Sequence, residues 1–415
     1  MRTVLATALL MALAACGSSS DTTTQQQRQA AAAPAAAAAA PANGADSMAS
    51  QDSAPGAQAK ADIPDSQPRP VMQAQVVLDR QGFGPGVIDG KMGISTTNAL
   101  EGFQEAHDLA VTGKLDAPTQ QALAQWKDIP ATRVVRIPDD WGNRDYQKVP
   151  KEPEDQAKMQ ELGYQSLDER LAERFHTTAE VLDQLNPNGQ PAGMSAPAPA
   201  TGGGATAQGN AKAAEQAAAS PTPAPSASPS PAATQAKFHA GQMVRVPNIG
   251  ADRIDPSVVQ DKTWQATLAS LGVGTDQPHV AKVVVDKSGG WLKGYDQAGK
   301  LVAMFTVTTG SKHDPLPLGN WGITTISRNP HFNYNPELFW DADANDTKQR
   351  LPPGPNGPVG VVWIDLTKPH YGIHGTPEPQ TIGRAQSHGC VRLTNWDAAR
   401  LAQMVDTSTK VVFQA

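Results

Sequence analysis

The chain has 415 residues, which is room for two to four domains of ordinary size. Its formal net charge is −6 and its basic residues form no stripe, which argues against a nucleic-acid-binding surface. Aromatic residues make up only 5% of the chain, while glycine and proline number 36 and 35, so much of the chain cannot belong to a packed core.

The first residues are typical of an export signal. Met1-Arg2 gives a positive start, and the apolar run behind it is too short to span a bilayer. The run ends in the sequence LAACG at 13–17, which resembles the lipobox of bacterial lipoproteins. That resemblance implies a signal peptide at 1–15, cleavage before Cys16 and a lipid on that cysteine. An ordinary secretory signal cut in the alanine-rich stretch is the alternative, and both interpretations predict export.

A lipid on Cys16 would hold the protein on a membrane in the periplasm. Gly17, rather than an aspartate, follows the cysteine, which slightly favours the outer membrane by analogy with lipoprotein sorting. Residues 16–70 are rich in Ala, Gln, Ser, Thr and Pro and contain almost no large apolar side chains. We expect a disordered tether there, long enough to let an anchored domain search its surroundings.

Cysteine occurs at two positions, Cys16 and Cys390. Cysteines of exported proteins usually pair as disulfides, but a lipid on Cys16 would leave Cys390 without a disulfide partner. A free thiol in an oxidising compartment is a liability unless its reactivity is used. The cysteine count therefore directs attention to Cys390.

Residues 71–127 carry helix and turn signals in alternation. The apolar residues of 71–78 have helical spacing, Ser95-Thr96-Thr97 caps a second helix, and Pro118-Thr119 begins a third. The sequences GVIDGKMGISTTNALEGFQ and LAVTGKLDAPTQQAL resemble the peptidoglycan-binding domain type 1. The resemblance implies a small three-helix bundle that binds the cell wall. A three-helix bundle of no stated function is the alternative.

Residues 162–249 hold a weaker pattern. The sequence YQSLDERLAERFHTTAEVLDQLNPN resembles the core of a LysM repeat, a βααβ module that binds N-acetylglucosamine chains. Leu171, Leu182 and Leu185 would line its helices, and 238–249 would supply the closing strand. A disordered insertion, predicted at 190–236 from its Ala, Pro, Ser and Gly content, departs from the family. We expect 238–249 to pair back onto 163–188 across it, and the resemblance leaves glycan binding open.

Residues 277–415 are rich in strand signals. A KSGG turn at 287–290 separates two apolar runs, which predicts a β-hairpin. Thr394 and Asp397 have capping-box spacing, so a helix should begin there. The predicted strands are 280–286, 291–295, 301–308, 321–326, 359–366 and 410–413.

The segment YGIHGTPEPQTIGRAQSHGCVRL at 371–393 combines a thiol with two histidines. Histidine can generate the reactive thiolate of a cysteine at neutral pH, so His374, His388 and Cys390 form a candidate nucleophilic site. Gly389 permits a tight turn, whose backbone N–H groups could stabilise an oxyanion. Two other interpretations compete: a buried and inert cysteine, or a zinc site made of the same three residues.

HGT at 374–376, followed by SHGCVR at 387–392, resembles the signature of the L,D-transpeptidase catalytic domain of the YkuD type. The sequences TTGSKHDPLPLGNWGI and RLPPGPNGPVGVVWIDL resemble other stretches of that family, and the likeness spans 277–415. It implies a β-sandwich-like mixed β catalytic domain at the end of a multidomain chain with long disordered linkers. It also favours a reactive cysteine over the two competing interpretations.

The resemblance implies roles for the residues that make and break bonds. Cys390 is the expected nucleophile, and His374 is the base that takes its proton and returns one to the leaving amine. Gly375 would orient the imidazole through its backbone carbonyl. Gly389 and Cys390 would supply the amides of an oxyanion hole.

Three further motif positions have roles that the sequence leaves open. The role of His388 is positional, electrostatic or that of a second proton relay. Arg392 holds a substrate carboxylate or pairs with Asp397, which is itself expected to be a helix cap. Ser387 is expected to be a turn residue on the substrate side of the site.

The same resemblance implies the substrate, a peptidoglycan tetrapeptide stem. The thiolate would attack the carbonyl of its L,D peptide bond, release D-Ala and leave a thioester. An amine of a second stem would then form a 3→3 cross-link, a lysine of a lipoprotein would anchor that protein to the wall, and water would make the enzyme an L,D-carboxypeptidase. A catalytically inactive wall-binding lipoprotein is the remaining alternative. No cofactor or metal is expected, and the expected partners are stem peptides, glycan strands and a membrane.

Residues 329–357 interrupt the strand-rich region between two predicted strands. Their prolines and aromatic side chains indicate a lid over the site, with a surface loop as the alternative. A lid that excludes water would favour an amine as the acyl acceptor. The aromatic residues are His331, Phe332, Tyr334, Phe339 and Trp340.

Overall fold

The computed structural model describes residues 63–194, 236–250, 253–340, 342–343 and 345–415. The predicted signal peptide, Cys16 and the tether as far as residue 62 lie outside the described residues, as does 195–235 of the predicted insertion. Within the described ranges, no helix is both long enough and apolar enough to cross a membrane.

Helices prevail in the first half of the described chain and strands in the second. The helices are α1 Pro70–Arg80, α2 Ile94–Ala106, α3 Ala117–Leu123, α4 Pro153–Gln156, α5 Leu167–Arg174, α6 Ala179–Leu185, α7 Lys262–Leu271 and α8 Asn395–Met404. The strands are β1 Phe83–Gly84, β2 Thr132–Arg136, β3 Met243–Pro247, β4 Lys282–Asp286, β5 Trp291–Tyr295, β6 Leu301–Thr306, β7 Gly319–Arg328, β8 Phe332–Tyr334, β9 Gln349–Leu351, β10 Val362–Leu366, β11 Gly372–His374, β12 Val391–Arg392 and β13 Lys410–Gln414.

The N-terminal module consists of α1, α2 and α3, at the positions of the three predicted helices. Two buried glutamines hold its turns. Gln75 donates from Nε2 to Oγ1 of Thr96 (3.0 Å) and accepts at Oε1 from the backbone N–H of Gly90 (2.7 Å). Gln104 donates in the same way to Oγ1 of Thr119 (2.8 Å). Both turns are therefore fixed from inside the module rather than by solvent.

This module is joined to the C-terminal sheet, contrary to the expected separation by long linkers. β1 pairs in parallel with β6, with Phe83 opposite Met304. α2 packs on the same strand so closely that a Cβ on Gly102 would lie 2.5 Å from the Met304 sulfur. Glu105 of α2 also accepts a hydrogen bond from Lys293 of β5. The close approach requires glycine at position 102, so the contact is built into the sequence.

The second module has the chain order β2, α5, α6, β3. β2 and β3 form an antiparallel ladder, with Val135 opposite Val244, and Leu171 and Leu182 of the two helices are buried in the same core. The predicted return of 238–249 onto 163–188 across the insertion is confirmed as packing. The Asn186 side chain bonds the Arg245 backbone (2.8 and 2.6 Å), and Leu171 and Leu182 share their core with Val244. The ladder partner is β2, which lies outside the predicted bounds of 162–249. The LysM assignment stays a prediction.

The predicted tether and insertion both end in ordered contacts. Ile63 and Pro64 accept hydrogen bonds from Nη2 of Arg245 (2.8 and 3.1 Å), although the tether was predicted to reach residue 70. Ala192, inside the predicted insertion, accepts from Nε of the same arginine (2.8 Å). Arg245 is fully buried. A buried guanidinium needs carbonyl partners, and these flanking residues supply them.

A nine-stranded mixed sheet forms most of the C-terminal part, in the order β1-β6-β5-β4-β13-β7-β10-β11-β12. Beyond β6 the chain reaches the last strand, because Thr308 bridges Arg392. That bridge connects the chain beyond β6 to β12, at the other end of the sheet. The predicted mixed β character of this part of the chain is confirmed. The predicted hairpin at 287–290 is present as β4 and β5.

Two helices cover the core of this sheet. Trp264 and Leu268 of α7 and Trp396 and Leu401 of α8 are fully buried in one cluster with the strand residues. α7 lies before the predicted domain start at 277 and packs into the core of this sheet. α8 begins where the sequence predicted a helix, with Thr394 accepting from the Asp397 N–H (3.1 Å).

A buried polar cluster joins the three parts of the described chain. The Asp79 carboxylate at the end of α1 lies 3.2 Å from Nδ1 of His176, in the second module, and 3.4 Å from Arg400 on α8. His176 stacks on Trp396 with 4.9 Å between ring centroids. Burial raises the pKa of Asp79, but Arg400 and His176 outweigh it and hold that pKa well below its ordinary value. The Asp79 carboxylate is therefore ionised, and its contacts connect the three parts of the described chain.

Candidate active site

The register of three strands brings the predicted nucleophile and base to neighbouring positions. β11 lies between β10 and β12, with Trp363 opposite His374 on one side and Arg392 opposite His374 on the other. Cys390 immediately precedes β12. The parallel pairing of β11 with β12 thus places the two residues on neighbouring strands of the sheet.

His374 is buried and held in one orientation. Its Nδ1 lies 2.7 Å from the carbonyl oxygen of Gly375, and the Trp363 ring stacks on the imidazole with 5.4 Å between centroids. Because a carbonyl only accepts, Nδ1 carries the proton and Nε2 keeps its lone pair. Burial and the Arg392 charge lower the pKa of His374 to about 3 against the raising effect of the Gly375 carbonyl. The imidazole is therefore neutral and able to act as a base at neutral pH.

Cys390 is a free, half-buried thiol. Its Sγ lies 3.8 Å from the carbonyl oxygen of His370, a residue in the left-handed region with φ of 68°. Burial raises the pKa of the thiol above its ordinary value, although the Gly372 backbone and the Arg392 charge act in the opposite direction. The site thus contains a protonated thiol and a neutral imidazole, so chemistry through a thiolate would require proton transfer from Cys390.

The turn before Cys390 is fixed by Ser387 and Gly389. The Ser387 hydroxyl donates to the carbonyl oxygen of Cys390 (2.5 Å), and its backbone N–H donates to Thr309 (3.0 Å). Gly389 has φ of 100°, and a Cβ there would lie 2.6 Å from the Tyr371 ring. Only glycine fits this backbone conformation and this space. Gly389 therefore sets the direction in which the backbone enters Cys390.

Arg392 exerts its charge on both reacting groups. It lowers the pKa of His374 and the pKa of Cys390. Its backbone is bonded in both directions to Thr308, at 2.8 and 3.1 Å, which closes the sheet beside the site. The charged neighbours of Asp397 are Arg400 and Asp79, in the buried cluster between modules.

The segment 329–357 contains a small β-hairpin whose aromatic side chains reach the motif. β8 and β9 pair, and the residues between them bring Phe339 to 5.2 Å and Trp340 to 6.0 Å from the His388 ring, measured between centroids. Trp340 also stacks on His313 (4.8 Å). His388 therefore faces the hairpin and contacts its aromatic residues, so the sequence correctly pointed to contact between this segment and the motif.

Some residues of the site gave no signal in the sequence. Trp363 and Tyr371 contact His374 and Gly389, but strand register decides this and spacing does not reveal it. Asn395 occupies the space beside Gly375, where a Cβ would lie 2.2 Å from its Oδ1. Its Nδ2 donates to Oε1 of Glu173 (2.8 Å), in the second module. A contact between separate modules cannot be found from local motifs.

Comparison with known families agrees with this geometry. Residues 281–413 match the family described as the L,D-transpeptidase catalytic domain, YkuD. Residues 67–123 match a family described as a candidate peptidoglycan binding domain.

The alignments with curated relatives are shorter than the match to the catalytic-domain family. A candidate L,D-transpeptidase, YkuD, of Bacillus licheniformis is 51% identical over 59 residues, which are 14% of this chain and 36% of that protein. A candidate L,D-transpeptidase, YqjB, of Bacillus subtilis is 28% identical over 119 residues, 27% of this chain and 60% of that protein. The chain thus spans less than two thirds of the length of either relative.

Two solved structures overlap a third of the chain. An L,D-transpeptidase from Mycobacterium smegmatis is 20% identical with a TM-score of 0.27, covering 32% of this chain and 58% of that one. The catalytic domain of the L,D-transpeptidase from E. faecium is 18% identical with a TM-score of 0.25, covering 32% and 95%. The assignment rests on the family models and the sequence relatives, which support an L,D-transpeptidase catalytic domain at 281–413 and a peptidoglycan-binding domain at 67–123.

Proposed function

We propose that this protein is a peptidoglycan L,D-transpeptidase in which Cys390 is the nucleophile and His374 the general base. The observation that carries the proposal is the 2.7 Å contact from Nδ1 of His374 to the Gly375 carbonyl. It fixes the tautomer whose Nε2 can accept the thiol proton. The pairing of β11 with β12 supports the proposal further, because it places His374 on the strand next to the one that Cys390 precedes.

The reaction has two acyl-transfer steps. In the first, the proton of the Cys390 thiol passes to Nε2 of His374, and Sγ bonds to the carbonyl carbon of the L,D peptide bond of a tetrapeptide stem. The C–N bond then breaks, the imidazolium gives its proton to the departing D-Ala nitrogen, and a thioester remains. The backbone N–H groups of Gly389 and Cys390 are the candidate donors to the oxyanion.

In the second step an amine attacks the thioester. His374 takes a proton from that amine, the new amide bond forms, and the thiol leaves with the proton. We propose an amine of a second stem, which gives a 3→3 cross-link. A protein lysine in its place would anchor a lipoprotein, and water would make the enzyme an L,D-carboxypeptidase.

The hairpin of β8 and β9 supports an amine rather than water as the acceptor. Phe339 and Trp340 cover His388, beside the nucleophile. Aromatic side chains over an acyl-enzyme exclude water, so a bound amine competes better for the thioester. His388 would hold this cover in place, which is a positional role.

The experiment that tests the function is incubation of the full chain with defined tetrapeptide stems, followed by mass spectrometry of the products. We expect cross-linked dimers that have lost one D-Ala. Tripeptides alone would replace the transpeptidase proposal with the carboxypeptidase. No turnover, together with no carbapenem adduct on Cys390, would support the inactive wall-binding lipoprotein.

The remaining proposals concern location. The LAACG sequence and the short apolar run support export and a lipid on Cys16, with a periplasmic protein held on a membrane. Changing Cys16 to Ala should release the protein from the membrane fraction without loss of turnover, because the lipid is an anchor remote from the chemistry. Membrane fractionation that matches the unchanged protein would refute the lipid. The second module is a further candidate contact with glycan.

A further inference from the structure

A groove runs where the three parts of the described chain meet. Its walls are the loop 85–96 of the N-terminal module, the face of α6 from Thr178 to Gln184, and the loop 379–384 that precedes the catalytic motif. It encloses about 250 Å³. A second hollow of about 210 Å³ adjoins it and shares Asp89, Val181 and Gln184, so the groove continues along α6 towards Arg69.

The walls of the groove are fixed to one another. The Ile88 N–H donates to the His176 carbonyl (2.8 Å), and the Thr177 hydroxyl donates to the Ile88 carbonyl (2.7 Å). On the third wall, the Gly383 N–H donates to Oγ1 of Thr308 (2.9 Å), whose backbone bridges Arg392. The groove is therefore preorganised, and one wall connects through a single residue to the strand that follows the nucleophile.

The groove carries charges of both signs. Asp89 and Glu180 are acidic, Lys91 and Arg384 are basic, and they line the groove together with aliphatic residues such as Val181. The Asp89 carboxylate is held by the Gln75 side chain (3.1 Å) and the Lys91 N–H (2.9 Å). No aromatic platform for a sugar ring is among the lining residues. This pattern suits a ligand that carries both ammonium and carboxylate groups.

We propose that this groove binds a peptidoglycan stem peptide outside the catalytic cleft, its ammonium group facing Asp89 and Glu180 and its carboxylates facing Lys91 and Arg384. The inference rests on the proposed function, since that function supplies the ligand class. A stem held here stays beside the loop that leads to Cys390. The two N-terminal modules would then select peptide and not glycan alone.

The test is photo-crosslinking of the full chain with a tetrapeptide stem in which one alanine is replaced by a diazirine amino acid. Mass spectrometry maps the attachment sites. We expect attachment to 85–96 and 178–184, suppressed by excess unlabelled stem and not by an N-acetylglucosamine oligomer. In the double variant Lys91→Gln and Glu180→Gln, attachment there should fall about fivefold, because two exposed ionic contacts are lost.

The matched control is Lys114→Gln with Glu161→Gln, which removes two exposed charges elsewhere in the same modules and should leave the attachment unchanged. Attachment confined to 371–392, equal attachment in the double variant, or competition by the glycan oligomer alone would each overturn the inference. Turnover without groove attachment would reject the groove and keep the enzyme. Groove attachment without turnover would keep the groove as a binding site and reject the proposed enzyme activity.

Discussion

Burial opposes ionisation at both reacting residues. It raises the pKa of the Cys390 thiol and lowers the pKa of His374 to about 3. A preformed thiolate–imidazolium pair is thus disfavoured in the free protein, and the proton moves only when a carbonyl is in reach of Sγ. A resting thiol of this kind also resists oxidation.

Replacing Cys390 with Ser should abolish transpeptidation without unfolding the protein. A hydroxyl is far harder to deprotonate than a thiol, and one imidazole of low pKa cannot compensate, so we expect a loss of at least about a thousandfold in kcat. Product mass spectrometry and thermal unfolding measure the two effects. A serine variant with near-normal turnover would end the case for a thiolate nucleophile.

Arg392→Gln should shift the titration of both reacting groups upwards. The Arg392 charge lowers the pKa of Cys390 and the pKa of His374. Its removal therefore makes the thiol harder to deprotonate and the imidazole easier to protonate. The rate of alkylation by iodoacetamide rises as the thiol loses its proton, and its pH midpoint should move to higher pH in the variant. Lys368→Gln is a control that leaves the midpoint in place. An unchanged midpoint in the Arg392 variant would remove its electrostatic role.

The candidate site residues could be predicted from the sequence because nucleophilic thiol chemistry requires their residue types within one short motif. Cys390, Gly389 and His374 stood out as a thiol, a permissive turn and an imidazole in one segment. Trp363 and Tyr371 could not be found in this way. Their contacts depend on which strands are neighbours and on the register between them, and both are decided by long-range packing.

At the scale of elements, the β8–β9 hairpin is held from outside its own domain. Nδ2 of Asn356 donates to the Gly163 carbonyl (2.9 Å) and to Glu169 (2.7 Å), both in the second module. The Leu162 N–H donates to the Pro353 carbonyl (2.9 Å). The base of the lid is therefore anchored on the second module while its aromatic residues lie at the catalytic motif.

Asn356→Ala should loosen the lid and change the partition of the acyl-enzyme. Two hydrogen bonds are lost, which should lower the free energy of unfolding by about 1–2 kcal/mol. More water should reach the thioester, so the ratio of tripeptide to cross-linked dimer should rise several-fold. Asn333→Ala, at an exposed position of β8, is the matched control. An unaltered product ratio would show that the hairpin does not govern the acceptor.

Element types were predictable wherever periodicity and caps agree, as in α1, α2, α8 and the β4–β5 hairpin. β2 and α7 were missed because each lies between two predicted modules, in a stretch that was interpreted as a linker. The two-residue strand β1 has no pattern at all. Its backbone is extended because it pairs with β6.

At the scale of the whole molecule, a buried carboxyl group couples the second module to the active site. Burial raises the pKa of Glu173 to about 7, even though Tyr164 and Asn395 bond to it. A carboxyl group whose pKa is raised on folding stabilises the protein most when it is protonated. Stability should therefore fall as the pH rises from the ordinary value of 4.5 through 7.

Glu173→Gln should remove this dependence. The amide can still accept from Asn395 and carries no charge, so the variant should gain about 1–3 kcal/mol relative to the unchanged protein at pH 8 compared with pH 5. Thermal unfolding at the two pH values measures the gain. Glu161→Gln, at an exposed position, should show no such difference. A Glu173 variant that behaves like this control would place the ionisation elsewhere.

The pairing of β1 with β6 has a consequence for any attempt to separate the modules. β1 covers the backbone of Met304 and Phe305, and α2 covers the side chain of Met304. A recombinant fragment that begins at residue 277 would expose the unpaired edge of β6 beside an apolar patch. Such an edge can pair with a strand of another molecule. Such a fragment should aggregate where the full chain stays monodisperse in light scattering. The C-terminal sheet therefore depends on the N-terminal module to cover this edge, and we expect the two parts to be soluble only together.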